Sequence, residues 1–73
     1  MTGWQARKLE VGDLIVYFGG ELATVDAKFT NKLGSGVVII FRSGRQQMLY
    51  YDSYMWDDCR HAGRADVAKL LAT

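Results

Sequence analysis

Leu14-Ile15-Val16-Tyr17-Phe18-Gly19-Gly20-Glu21-Leu22-Ala23-Thr24-Val25-Asp26-Ala27 decides how this chain folds. An apolar, β-branched run enters a pair of glycines, and a second run leaves them with apolar and polar residues in alternation. Glycine reverses the backbone at a hairpin corner without steric cost, so this stretch predicts two antiparallel strands. A two-residue Gly19-Gly20 turn sets Phe18 opposite Glu21, Val16 opposite Ala23 and Leu14 opposite Val25. Leu14, Val16 and Phe18 then share one face, and Ala23, Val25, Ala27 and Phe29 continue it. Leu22, Thr24, Asp26 and Lys28 form the wet face.

The pattern repeats downstream. Val37-Val38-Ile39-Ile40-Phe41-Arg42 enters Ser43-Gly44, and Arg45-Gln46-Gln47-Met48-Leu49-Tyr50 leaves it. A two-residue turn here pairs Phe41 with Gln46, Ile39 with Met48 and Val37 with Tyr50. Both faces of this hairpin are apolar, which places it centrally or beneath the C-terminal segment. Thr30 to Gly36 reads as a polar loop. Met1 to Glu10 reads as a polar lead-in with Trp4 as its anchor. Asp57 to Thr73 reads as helical, with Val67, Leu70 and Leu71 on one stripe and Gly63 interrupting it.

Seventy-three residues make one domain, 1–73, with a small core. An apolar content of 49% is too high for disorder. The net charge of +1 makes no global case for a polyanionic partner, so electrostatic arguments are local. One cysteine, Cys59, cannot form an intrachain disulfide. The amino-terminal residues lack the apolar stretch of a secretory signal, and the apolar runs are too short to span a bilayer. A soluble, cytoplasmic protein without membrane association is expected.

Cys59-Arg60-His61 beside Asp57-Asp58 is the one stretch with nucleophile and base chemistry in reach. Residues two apart on a helix do not face each other, and no second ligand pair completes a structural zinc site. No catalytic residue, metal site or cofactor is assigned. Gly34-Ser35-Gly36 precedes a strand rather than a helix, so it is no phosphate loop.

The surface charge is more informative. No acidic residue occurs from Ala27 to Tyr51, while Lys28, Lys32, Arg42 and Arg45 all do. Arg42 and Arg45 flank the Ser43-Gly44 corner and are expected to oppose each other. Alternation turns Tyr50 inward and Tyr51 outward, where a ring could stack on a base. Lys28, Lys32, Arg42, Arg45 and Tyr51 are therefore the expected anion or nucleic-acid contacts.

Val11-Gly12-Asp13-Leu14-Ile15-Val16-Tyr17, followed by Gly19-Gly20 and Ala23-Thr24-Val25-Asp26-Ala27, resembles the opening of small SH3-like and Tudor-like barrels. It is most similar to the RNA-polymerase-interacting domain of the CarD family. The resemblance spans Val11 to Ala27. It implies a bent, five-stranded sheet or barrel that binds a protein or nucleic acid without catalysis. The chain departs from the family in having Phe18-Gly19-Gly20 where the family carries proline and histidine. It also has no counterpart of the family's DNA-contacting helical domain, and no interface residue is carried over.

The expected fold is thus mainly β: a small SH3-like bent sheet or barrel of about five strands, with a C-terminal helix packed on it. The expected function is non-catalytic binding linked to nucleic acid or transcription. The alternative is a protein-protein adaptor, regulator or inhibitor that binds a partner such as RNA polymerase through a sheet edge. The same edges would let two copies pair as a homodimer.

Overall fold

The computed structural model describes residues 1–72, without the side chains of residues 69, 70 and 72. Nine elements follow in order. They are helix α1 (Gly3–Ala6), strand β1 (Leu14–Val16), a 3-10 turn (Phe18–Gly20), β2 (Leu22–Asn31), β3 (Gly34–Phe41), β4 (Gln46–Tyr50), a second 3-10 turn (Tyr54–Asp58), β5 (Arg60–His61) and helix α2 (Arg64–Ala72). The five strands form one antiparallel sheet in the order β4-β3-β2-β1-β5. The fold is mainly β, an open bent sheet with a short C-terminal helix, and β4 and β5 are its two edges. No described helix is long and apolar enough to cross a membrane.

Both glycine corners are one residue longer than a two-residue turn. The Tyr17 N–H donates to the Glu21 carbonyl and the Gly20 N–H to the Tyr17 carbonyl, enclosing Phe18-Gly19-Gly20. At the other corner the Phe41 N–H donates to Arg45 and the Gly44 N–H to Phe41, enclosing Arg42-Ser43-Gly44. Each loop ends on a glycine at positive φ, 85° for Gly20 and 92° for Gly44, a conformation open to glycine and strained for other residues.

The extra residue slips each register by one and exchanges the faces. Ile15 pairs with Ala23, and Val37 with Leu49. The first hairpin therefore buries Ile15 and Tyr17 with Ala23 and Val25; of the expected face, Val16 is buried, Leu14 is half-buried and Phe18 is exposed at the corner. Arg42 lies within its turn, and Arg45 stands opposite Phe41 rather than opposite Arg42.

A β-bulge sits between Val25 and Ala27. It absorbs Asp26 as an extra residue and reverses the alternation beyond it. Ala27 pairs with Val38 and Phe29 with Gly36 on the outer face; Lys28 pairs with Val37 and Thr30 with Ser35 on the core face. The single apolar face expected from Ala23 to Phe29 is thus broken in the middle. The strands also run on through the expected 30–36 loop, leaving only Lys32-Leu33 at the tip. The Asn31 carboxamide holds that tip, accepting from the Leu33 N–H at 2.8 Å and donating to the Tyr50 hydroxyl at 3.0 Å. Tyr50 packs edge-on against Phe29, with centroids 5.1 Å apart, across the side-chain-free Gly36 between them.

The core lies on the concave face, where Ile15, Tyr17, Ala23, Val25, Val37, Ile39, Phe41 and Leu49 are buried. Cover comes from the segments that flank the meander. Ala6 and Leu9 from the amino-terminal segment join the core, as do Trp56 and Cys59 from the segment after β4, and the Met1 ammonium ties the two together by donating to the Trp56 and Cys59 carbonyls. Trp4, the expected anchor, is 79% exposed. The helix that positions Ala6 starts with a capping box: Thr2 Oγ1 accepts from the Gln5 N–H, and Gln5 Oε1 from the Thr2 N–H.

The expected helix from Asp57 begins only at Arg64, because 57–58 finish the 3-10 turn and 60–61 pair with β1. Asp66 accepts from the Gly63 N–H at 2.7 Å and sets the start of α2. Of the expected α2 stripe, Val67 is half-buried, Leu71 is 81% exposed and the Leu70 side chain lies outside the described residues.

Candidate anion site

The bulge brings together residues that are far apart in sequence. Arg7, Lys28, Phe29, Thr30, Ser35 and Tyr51 line a shallow hollow of about 410 Å³. Lys28, Thr30, Ser35 and Tyr51 reach it from the core face of the sheet, beyond the end of the packed core. Arg7 reaches it from the C-cap of α1. Thr30 Oγ1 and Ser35 Oγ are 3.0 Å apart and share a hydrogen bond. Two cations and two hydroxyls thus line the hollow, and none of its lining residues is a carboxylate.

Arg7 is held by aromatic rings. Its guanidinium carbon lies 4.9 Å from the Tyr51 ring centroid and 5.7 Å from that of Trp4. The planar, delocalised guanidinium suits such faces and leaves its edge N–H groups free to donate. Trp4, exposed beside it, adds a large flat surface at the rim. Tyr51 is buried rather than outward, because Ser35 and Tyr51 pair on the concave face through a 3.0 Å backbone bond. It serves as a floor for Arg7, while Tyr50 occupies the outer face.

The other expected contacts do not join this hollow. Lys32 sits at the β2–β3 tip and Arg42 at the β3–β4 corner, at opposite ends of an eight-residue strand. At about 3.3 Å per residue these ends are roughly 25 Å apart. Arg45 is engaged already. Its Nη2 lies 3.3 Å from Glu21 Oε1, and its guanidinium lies over the Phe41 ring at 4.3 Å. Gln46 likewise donates to Asp26 at 3.3 Å. The acid-free stretch of sequence is therefore not acid-free in space, because Glu21, just before β2, and Asp26, within it, lie beside it. Of the five expected contacts, Lys28 and Tyr51 meet, in company with Arg7, which sequence reasoning passed over. The Thr2-to-Gln5 capping box was the available signal, since a helix over 3–6 sends Arg7 out at its end.

Cys59 and His61 lack the arrangement of an activated pair. The Cys59 Sγ donates to the Met55 carbonyl at 3.3 Å, and burial raises the thiol pKa, the opposite of what a nucleophile needs. His61 is exposed on β5. Among the described residues no group of three or more side chains has the disposition to hold a metal ion. Gly34-Ser35-Gly36 is the first part of β3.

Family models, curated proteins and solved structures were all compared with this chain, and none matches it.

Proposed function

We propose that this chain is a non-catalytic nucleic-acid-binding module that seats a backbone phosphate in the Arg7–Lys28 hollow. The observation that carries the reading is the composition of that hollow, which Arg7, Lys28 and the neighbouring hydroxyls of Thr30 and Ser35 line and no carboxylate does. Arg7 offers a planar donor set, Lys28 a point charge, and Thr30 and Ser35 short neutral donors. Trp4 at the rim supplies a face for a neighbouring base, as in single-strand recognition by stacking and charge. The CarD-like opening of the chain agrees with a binding role in transcription, and polymerase remains one candidate protein partner.

The test is a titration of labelled single-stranded DNA and RNA across about 50–200 mM salt, followed by anisotropy and Trp quenching. One neutralised phosphate predicts a slope of log K against log salt of about −0.7 on a single strand. The Arg7→Glu/Lys28→Glu double variant should abolish binding, and Trp4→Ala should weaken it about tenfold. Arg45→Glu, at the far corner, should leave it unchanged. Absence of affinity for either strand type at low salt ends the proposal.

A second reading, a protein adaptor that docks through a sheet edge, is favoured by the uncharged β4 edge. Under it the double variant keeps partner binding and a charge placed on β4 destroys it.

A further inference from the structure

The five residues of β4 form an edge that is covered only at its Tyr50 end. Gln46-Gln47-Met48-Leu49-Tyr50 carries no charge and no proline, and its register with β3 is unbroken by a bulge. Backbone bonds from Tyr51 to Ser35 and from Phe41 to Arg45 fix which residues face β3. By alternation these are 45, 47, 49 and 51, so 46, 48 and 50 face outward. The Tyr50 carbonyl is occupied by Trp56 Nε1 at 2.8 Å and the Ser53 N–H at 3.0 Å. Gln46 and Met48 are left presenting both an N–H and a carbonyl to the outside.

We infer that β4 pairs antiparallel with β4 of a second copy of this chain, across a two-fold axis at Gln47. In that register Gln46 faces Met48 of the other copy and Met48 faces its Gln46. Four backbone bonds form, using each of those outward N–H and carbonyl groups. The orientation also fits the charges. Antiparallel pairing sets the Arg42–Arg45 end of each copy beside the Asp52 end of the other, whereas parallel pairing would set like ends together. Each interface is self-complementary, as two-fold symmetry requires. The outer face then joins Met48 to Val38 and Ile40 in one apolar band across both copies, and the two anion hollows lie on the same concave side.

Sedimentation velocity over a concentration series is the first measurement. A species of twice the 8.2 kDa chain mass is expected to grow with concentration. Met48→Pro removes an outward N–H and leaves the β3 bonds intact. It should weaken dimerisation about a hundredfold, tenfold for each of the two symmetry-related bonds. Met48→Lys serves the same purpose if the proline variant does not fold, and amide dispersion reports the fold of both. Gln47→Cys should form an intermolecular disulfide on mild oxidation, because a residue on the axis meets its own copy at non-hydrogen-bonded spacing. A monomer throughout the concentration series would overturn the inference. So would a dimer that both folded Met48 variants leave intact, or a Gln47→Cys chain that stays unlinked while dimeric.

Discussion

The two edges of this sheet are built on opposite principles. β5 is two residues long, carries Arg60 and His61, and is followed within three residues by α2. Arg60 makes a bidentate pair with Asp66, at 2.7 and 2.9 Å, which ties the strand to the helix that leaves it. β4 is five residues long, uncharged and straight, and only its Tyr50 end is covered. A short, charged, helix-tethered edge leaves little room for another strand, whereas a flat, uncharged one invites it. The contrast gives the molecule a direction: additions to the sheet come at β4.

Removing the cover at the Tyr50 end is the harshest way to disturb that contrast. Trp56 is the largest fully buried side chain and also holds the last carbonyl of β4. Trp56→Ala should cost about 3–5 kcal/mol by urea unfolding. Amide exchange should quicken first at Tyr51 and Ser53. Protection there unchanged from wild type would mean that β4 is anchored by something other than this indole.

The closed edge should respond far more gently. Asp66→Asn removes the carboxylate that Arg60 grips and weakens its bond to the Gly63 N–H. The pair is exposed on the arginine side and therefore screened by salt. Exchange at the Ala62 amide, which donates to Leu14, should accelerate while global stability barely moves. A large global loss would show that β5 is integral to the core rather than a latch on its rim.

The smallest effect concerns Cys59, where the chain leaves the Trp56 turn for β5. Burial raises its thiol pKa in the folded state, so the folded chain holds that proton more tightly than the unfolded one. The resulting stability is present in full below the ordinary thiol range and is lost as pH climbs through the raised value. Cys59→Ala should flatten this alkaline decline, and iodoacetamide should label the native thiol slowly at mildly alkaline pH. Fast labelling of folded protein would contradict the burial.

The sequence showed the strands more clearly than their alignment. Both glycine corners were legible, because Gly19-Gly20 and Ser43-Gly44 interrupt β-branched runs. Their lengths were not, since Phe18 and Arg42 read equally well as strand ends or first loop residues. That single ambiguity put Ile15, rather than Val16, opposite Ala23. The bulge was hidden for a related reason: Asp26 falls where strict alternation wants a polar residue. Trp4 was the expected anchor, yet Ala6 and Leu9 are buried and Trp4 stays outside. Lys28 and Tyr51 were identifiable as candidates, whereas Arg7 was not. The meeting of Lys28 with Arg7 and Tyr51 depends on sheet register past the bulge and on the path of the amino-terminal segment.

One inserted residue therefore acts as a parity switch for half a strand. Were the strand to run through Asp26 without the bulge, everything from Ala27 to Asn31 would turn over by one step, sending Lys28 to the convex side and Phe29 into the hollow. The anion seat would become a greasy one, with no codon changed at any position that touches it.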